Sequence, residues 1–152
     1  LLMIRVLLDY ARDVHEALSL MGRYNVIMMG GPPVHYMLAD AAGNSAVVEY
    51  VRYEMRVLRK DGPFQVATNF VLSDTSPSDA DARCWRYRMT QGVLWAYAGL
   101  VAERDAIRLL GDVSQADTIW SVVYNLASGE LQVAMGRHYE RVRRFRLTMS
   151  GE

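Results

Sequence analysis

The 152-residue chain contains a single cysteine, Cys84, and has no excess charge of either sign. One cysteine cannot form an internal disulfide, which is compatible with a reducing, cytoplasmic location. The 17 Lys and Arg residues balance the 17 Asp and Glu residues. The charge balance therefore gives no electrostatic reason to expect binding to nucleic acid or to an anionic membrane.

Metal-ligand spacing and a membrane-spanning run are also absent from the sequence. The three histidines, His15, His35 and His138, lie far apart, so we expect neither a metal nor another cofactor. The apolar run at residues 1–8 is too short to cross a bilayer, and Arg5 interrupts it. Because residue 1 is not Met and a helical pattern begins at once, we expect the chain to be part of a longer polypeptide.

Half of the residues (51%) are hydrophobic, which is typical of a globular domain of this length. Helical and strand patterns occur in runs and do not alternate singly, which predicts an α+β fold with antiparallel sheets covered by helices. We predict one domain over residues 1–152. The predicted helices cover residues 1–11, 14–21, 77–101 and 103–110. The predicted strands cover residues 25–29, 35–40, 45–51, 54–60, 64–70, 118–125, 130–135 and 141–147.

Two helix starts carry capping signals. Asp13 and Glu16 have the spacing of a capping box, in which the first side chain accepts a backbone hydrogen bond and the second reaches back. Ser76, Pro77 and Asp79 combine an N-cap serine, a proline at the first helical position and an acid in the first turn. From the second start we predict a long helix whose core stripe consists of Trp85, Met89, Val93, Ala96 and Leu100.

The predicted strand 64–70 carries the most suggestive polar group of the chain. It ends near Asn69, and a short polar loop leads from it to a helix that carries Arg83 and Arg86. An amide and a guanidinium near one strand end could stabilise an oxyanion or bind a carboxylate. Spacing by itself favours the simpler interpretation, that Asn69 only ends the strand, as asparagine often does at turns.

Other reactive residues favour structural interpretations. We interpret Cys84 as a small buried hydrophobe in a helix, His35 as structural, and Asp40 as the cap of a tight turn. The basic cluster at residues 141–146 could bind nucleic acid, but the neutral net charge favours a solvated edge strand. The residues by themselves complete no catalytic constellation.

Several segments together resemble the linear-amide C–N hydrolases, the group of choloylglycine hydrolase, penicillin V acylase and acyl-CoA:6-aminopenicillanate acyltransferase. No single segment is specific, but their order and spacing are. The segments are residues 7–17, 35–49, 67–70, 86–87 with Leu94 in step, and 118–124.

The resemblance implies the fold of the N-terminal nucleophile hydrolases, an αββα sandwich of two antiparallel sheets between helical layers. It also implies a catalytic cysteine at a processed N-terminus, whose α-amine acts as the base; an α-amine pKa of roughly 8 suits this role. In this family the asparagine of the Thr-Asn motif helps form the oxyanion hole, which points to Asn69. An arginine at the start of the next helix belongs to the site; Arg86 is the best match and Arg83 the competing candidate.

The chain departs from the family pattern because the nucleophile segment lies upstream of the matching region. Cys84 does not match that nucleophile. We therefore expect the C-terminal part of an amidohydrolase or acyltransferase, inactive by itself; the alternative is a non-catalytic binding or assembly module that keeps the scaffold. The expected partners are a small-molecule amide or acyl substrate, the missing N-terminal segment or a partner chain, and further copies in a homo-oligomer, with no nucleic acid and no membrane.

Overall fold

The computed structural model of the protein describes residues 2–27 and 35–148. These residues form two compact units, Leu1–Arg88 and Met89–Glu152, each described here by itself. Both units contain helices and one small antiparallel sheet, which confirms the α+β class. The single domain over residues 1–152 stays a prediction.

The described chain contains five helices and six strands. The helices are α1 (Leu2–Tyr10), α2 (Val14–Met21), α3 (Pro77–Arg83), α4 (Trp85–Ala96) and α5 (Glu103–Asp112). The strands are β1 (His35–Ala39), β2 (Ser45–Val51), β3 (Glu54–Arg59), β4 (Trp120–Asn125), β5 (Glu130–Met135) and β6 (Arg143–Arg146). Among residues 2–27 and 35–148, no helix has the length and apolarity that a membrane crossing requires.

The first unit is built on the sheet β1-β2-β3, in which β2 is the central strand. Residues 46–49 of β2 are buried, as the adjacent valines predict for a strand covered on both faces. One side of the sheet packs against the apolar faces of α1 and α2, where Met21 is fully buried. Each fully buried side chain of this size contributes about 1.5–3 kcal/mol, so this packing is a main source of stability for the unit.

The start of α2 confirms the predicted capping box with one difference. The Asp13 side chain accepts a hydrogen bond from Glu16 N at 2.8 Å. The Glu16 carboxylate, however, accepts from the backbone N–H of Arg12 at 3.0 Å, one residue before the cap. Hydrogen bonds from the Arg12 side chain and backbone lower the pKa of Glu16 to about 2. The helix ends at Gly22, as predicted.

Asp40 caps the turn between β1 and β2, which confirms its structural interpretation. Its Oδ1 accepts from Ala42 N at 3.0 Å and from Asn44 N at 2.9 Å. Its Oδ2 also accepts from Val14 N at 3.2 Å, so the same carboxylate ties this turn to the start of α2.

The predicted strand 64–70 is wrong. Residues 64–68 are irregular and residues 69–70 form a bend. The segment satisfies its polar groups through side chains instead of a ladder. Gln65 donates to Leu58 O at 2.8 Å, and Ser45 Oγ donates to Gln65 Oε1 at 2.8 Å.

The predicted long helix after Ser76 is also wrong in its length and in its core stripe. Ser76 does cap its start, but the helix is interrupted at Cys84, whose φ of −142° and ψ of 108° are extended. The break changes which face is buried: Tyr87 is buried, while Trp85, Met89 and Leu100 are exposed. Of the strand predicted at 25–29, residues 25–27 are irregular and the others lie outside the described residues.

The second unit is built on the sheet β4-β5-β6 with α5 packed against it. Glu103 at the start of α5 accepts from Asn125 Nδ2 at 3.1 Å and also from Gln132 Nε2. Strand β6 pairs with β5 along one edge, and its four residues are exposed, as expected of a solvated edge strand. Helix α5 runs to Asp112, two residues past its predicted end at residue 110.

Candidate functional site

The candidate site is centred on residues 64–75, here called the Asn69 segment. Its first end is tied to the sheet of the first unit through Gln65, which bridges Ser45 on β2 and Leu58 on β3. The predicted strand is therefore replaced by an irregular segment with a defined attachment point.

The other end of the Asn69 segment is tied to the same sheet by two charged side chains. Glu49 accepts from Leu72 N at 2.7 Å and from Ser73 N at 2.9 Å. Arg56 forms an ion pair with Asp74. Glu49 and Arg56 lie directly opposite each other on β2 and β3. This cross-strand pair therefore binds three consecutive residues of the segment, 72–74.

The middle of the Asn69 segment packs against the starts of α3 and α4. Phe70 is buried with Ala80 and Tyr87, and its ring meets the Tyr87 ring edge to face at 5.3 Å between centroids. On the other side of Asn69, the buried Thr68 hydroxyl makes no hydrogen bond among the described residues, and it lies near the Cys84 thiol. Both neighbours of Asn69 are therefore seated beside the start of α4.

Asn69 itself is exposed. Within the described part of the chain, its amide makes no side-chain hydrogen bond. An amide has two N–H donors, so this side chain is able to donate to an external oxygen. Because Thr68 and Phe70 are both packed, the position of the Asn69 amide is restricted.

The structure distinguishes between the two candidate arginines. Arg83 is exposed in the last turn of α3, whereas Arg86 is half-buried in the first turn of α4. Arg86 lies near the Cys84 thiol, where its charge favours the thiolate. Arg86 therefore shares the neighbourhood of Thr68 and Cys84. The roles of Asn69, Arg83 and Arg86 in a reaction stay predictions.

Cys84 occupies a different environment from the predicted buried helical position. It is half-buried at the break before α4. Burial favours the neutral thiol, but the nearby Thr68 hydroxyl, the backbone N–H groups of Tyr87 and Arg86 and the Arg86 charge lower the pKa of Cys84 below its ordinary value of 9.0. The helix N-terminus and the guanidinium thus outweigh desolvation.

Sequence reasoning missed Glu49, which is only 2% exposed. Its Oε1 lies 3.4 Å from Nδ1 of His35, the residue directly opposite on β1. Burial opposes its ionisation, yet hydrogen bonds from Ser73 and Leu72 and the His35 charge lower the pKa of Glu49. The sequence did contain a signal for this residue, a glutamate inside the apolar run Ala46-Val47-Val48-Glu49-Tyr50. A carboxylate on a buried strand needs hydrogen-bonding or charged partners, so such a glutamate indicates a specific contact.

No group of three or more His, Cys, Asp or Glu side chains suited to a metal occurs in residues 2–27 and 35–148. Two surface depressions of the first unit lie beside α2 and share His15 in their walls. Neither is lined by Asn69, Arg83 or Arg86.

Comparison with known families gives one match. The sequence model of the linear amide C-N hydrolases, choloylglycine hydrolase family, matches residues 1–71. The match includes Asn69 and Glu49 and ends before Arg83 and Arg86. Neither the search of curated proteins nor the search of solved structures found a match to the chain.

Proposed function

We propose, from the match of residues 1–71 to the linear amide C–N hydrolase family, that this chain is the C-terminal part of a cysteine amidohydrolase or acyltransferase. Its substrates would be small molecules with a linear, non-peptide amide. The observation that carries the proposal is the placement of Asn69: an exposed amide whose two neighbours are packed beside the start of α4. The single cysteine supports a reducing, cytoplasmic location for this enzyme.

The proposed reaction begins with a cysteine supplied by a segment N-terminal to residue 1. Its α-amine takes the thiol proton, and the thiolate attacks the amide carbonyl carbon. The C=O π electrons move to the oxygen and form a tetrahedral oxyanion. Asn69 donates an N–H to that oxygen, a contribution of about 3 kcal/mol to the barrier in comparable oxyanion holes.

Collapse of the tetrahedral intermediate breaks the C–N bond. The leaving amine takes the proton held by the α-amine, and the acyl group remains on sulfur as a thioester. Water, or a second acyl acceptor, then attacks the thioester and restores the thiol. Which acceptor is used decides between hydrolysis and acyl transfer.

Arg86 is proposed as the site arginine. Its guanidinium presents fixed donors that suit a carboxylate of the substrate or the charge of the intermediate. Its half-buried position near Thr68 and Cys84 supports this choice over the exposed Arg83. Arg83 remains the competing candidate for substrate binding.

Exposed apolar surface supports the proposal that further chain covers this part of the protein. On one face of the β4-β5-β6 sheet, Trp120 is 60% and Phe145 53% exposed, and Tyr124 and Met135 are also exposed. In α1, Leu2 is 80% and Leu8 78% exposed. Within each unit, large exposed apolar residues that lie together mark a surface that binds another chain. We propose that the N-terminal segment, a partner chain or a second copy covers these residues.

The decisive experiment expresses the chain together with the sequence that precedes residue 1. Release of glycine from glycocholate and of 6-aminopenicillanate from penicillin V would be measured for the wild type, Asn69→Asp and Asn25→Asp. The Asn69→Asp enzyme should be inactive because a carboxylate repels the oxyanion, whereas Asn25→Asp, at an exposed asparagine outside the Asn69 segment, should keep turnover.

Near-normal turnover by Asn69→Asp would remove Asn69 from the site. A wild-type protein that begins without a cysteine and cleaves neither amide would instead favour the non-catalytic module. Sedimentation velocity on the chain alone and on the longer protein would complement these assays. A dilute-stable monomer of the chain alone would count against the missing-segment proposal.

A further inference from the structure

Glu49 is the charged side chain that lies deepest among the described residues of the first unit, at 2% exposure on the central strand. Moving a carboxylate out of water costs several kcal/mol unless partners compensate. A valine at this position would continue the apolar run of β2 without that cost. The groups that this carboxylate binds must therefore account for a charged residue at a buried position.

The partners of Glu49 are backbone groups of a distant loop. Its two oxygens accept separately from Leu72 N at 2.7 Å and Ser73 N at 2.9 Å. Backbone N–H groups in an irregular segment have no ladder partner, so they remain unsatisfied unless an acceptor reaches them. A carboxylate with two oxygens can accept both at once, and an apolar side chain can accept neither.

The held backbone lies immediately after the Asn69 segment's packed centre. Only Phe70 and Val71 separate Asn69 from Leu72, and Phe70 is itself seated on Tyr87. The Thr75 hydroxyl closes the loop by donating to Val71 O at 2.6 Å. A displacement of Leu72 and Ser73 away from β2 would therefore be transmitted to Asn69 over two residues of chain.

We infer that Glu49 is a positioning residue: its buried carboxylate holds the Leu72–Ser73 backbone on β2 and thereby sets the place of the Asn69 amide. His35, opposite on β1, supports that carboxylate at 3.4 Å. The inference rests on the proposed function for its catalytic consequence, whereas the structural coupling between Glu49 and Asn69 can be measured without any reaction.

The structural test uses amide hydrogen exchange and NMR of the ¹⁵N-labelled protein that includes the preceding sequence. Glu49→Gln replaces one acceptor oxygen by an NH₂ group, which faces a backbone donor. We expect faster exchange at Leu72 and Ser73 and a shifted side-chain NH₂ resonance of Asn69. Glu54→Gln, at an exposed glutamate of the same sheet, is the matched control and should change neither.

The catalytic test measures kcat and KM of the same variants with glycocholate and penicillin V. A misplacement of about 1 Å at a reacting group can cost on the order of 100-fold in rate, so we expect a kcat loss of that order for Glu49→Gln. KM should change little, because Asn69 acts on the oxyanion and not on the bound amide. A variant that only lost stability would show a normal kcat per folded molecule.

Glu49→Gln could unfold the unit, so Asp74→Asn is measured in parallel. It releases the exposed ion pair with Arg56 and leaves the buried core unchanged. We expect a smaller change of the same Asn69 resonance and a several-fold lower kcat. Unchanged exchange and an unchanged Asn69 resonance in the folded variants would overturn the inference. A wild type without activity but with the expected shifts would overturn the proposed function alone.

Discussion

The ring of Phe70 meets the ring of Tyr87 edge to face, with 5.3 Å between centroids and 70° between planes. Phe70 follows Asn69 in the chain, and Tyr87 follows Arg86. The contact therefore brings together the two stretches that carry the proposed oxyanion donor and the proposed site arginine. An aromatic pair of this kind contributes about 0.5–1.5 kcal/mol beyond the apolar area it buries.

Removal of this contact should destabilise the first unit. We expect Phe70→Ala to lower the free energy of unfolding by about 3–5 kcal/mol, because a buried ring is lost and a cavity remains. Tyr53→Ala, at a tyrosine of the same unit that is 83% exposed, is the control and should change it by less than about 0.5 kcal/mol. Urea titration followed by circular dichroism would measure both. Equal losses in the two variants would show that the Phe70 packing is unimportant.

The two candidate arginines should separate kinetically in the longer enzyme. A hydrogen bond to a charged group contributes about 1.5–3 kcal/mol, so Arg86→Ala should lower kcat/KM by about 10- to 100-fold. Arg83→Ala should leave kcat/KM within about twofold, because surface substitutions rarely cost more than 0.5 kcal/mol. The reverse pattern with glycocholate or penicillin V would assign the site to Arg83.

The Cys84 thiol should react as a thiolate at a lower pH than an ordinary cysteine. Burial raises the pKa of this thiol, but the nearby Thr68 hydroxyl, the backbone N–H groups at the start of α4 and the Arg86 charge lower it by more. The rate of alkylation by iodoacetamide, measured against pH, should therefore rise below the ordinary pKa of 9.0. Thr68→Val should move the profile upward, and Thr90→Val, farther along α4, should not. Identical profiles for all three proteins would contradict the assigned environment.

Glu49 should make the first unit sensitive to acid. Its folded-state pKa lies below the ordinary value of 4.5, so its contribution is present above that value and is lost as pH falls through the folded pKa. His35 on β1 and Arg56 on β3 face it across the strands. The stability advantage of wild type over Glu49→Gln should shrink as the pH falls below about 4.5. Thermal unfolding at a series of pH values would measure it; a difference that grows on acidification would contradict the sign.

Local features of this protein follow from near neighbours in the chain. The Asp13 and Ser76 caps, the Gly22 stop and the Asp40 turn each depend on groups within a few residues, so their residue types are informative. The β1–β2–β3 strands were likewise predicted within one residue at their ends. The family resemblance, confirmed for residues 1–71, added the interpretation of Asn69 that spacing by itself left open.

Contacts between residues far apart in the chain determined the structural features that near neighbours in the sequence could not predict. Residues 64–70 have strand-like composition, yet their partners are the Gln65 bridges and the Phe70–Tyr87 contact, so they form no strand. The break at Cys84 and the burial of Tyr87 depend on the same packing. The Glu49 carboxylate meets Leu72 and Ser73 across more than twenty residues. A pattern along the chain records what each residue prefers, but only the folded chain determines which distant donor satisfies a buried charge.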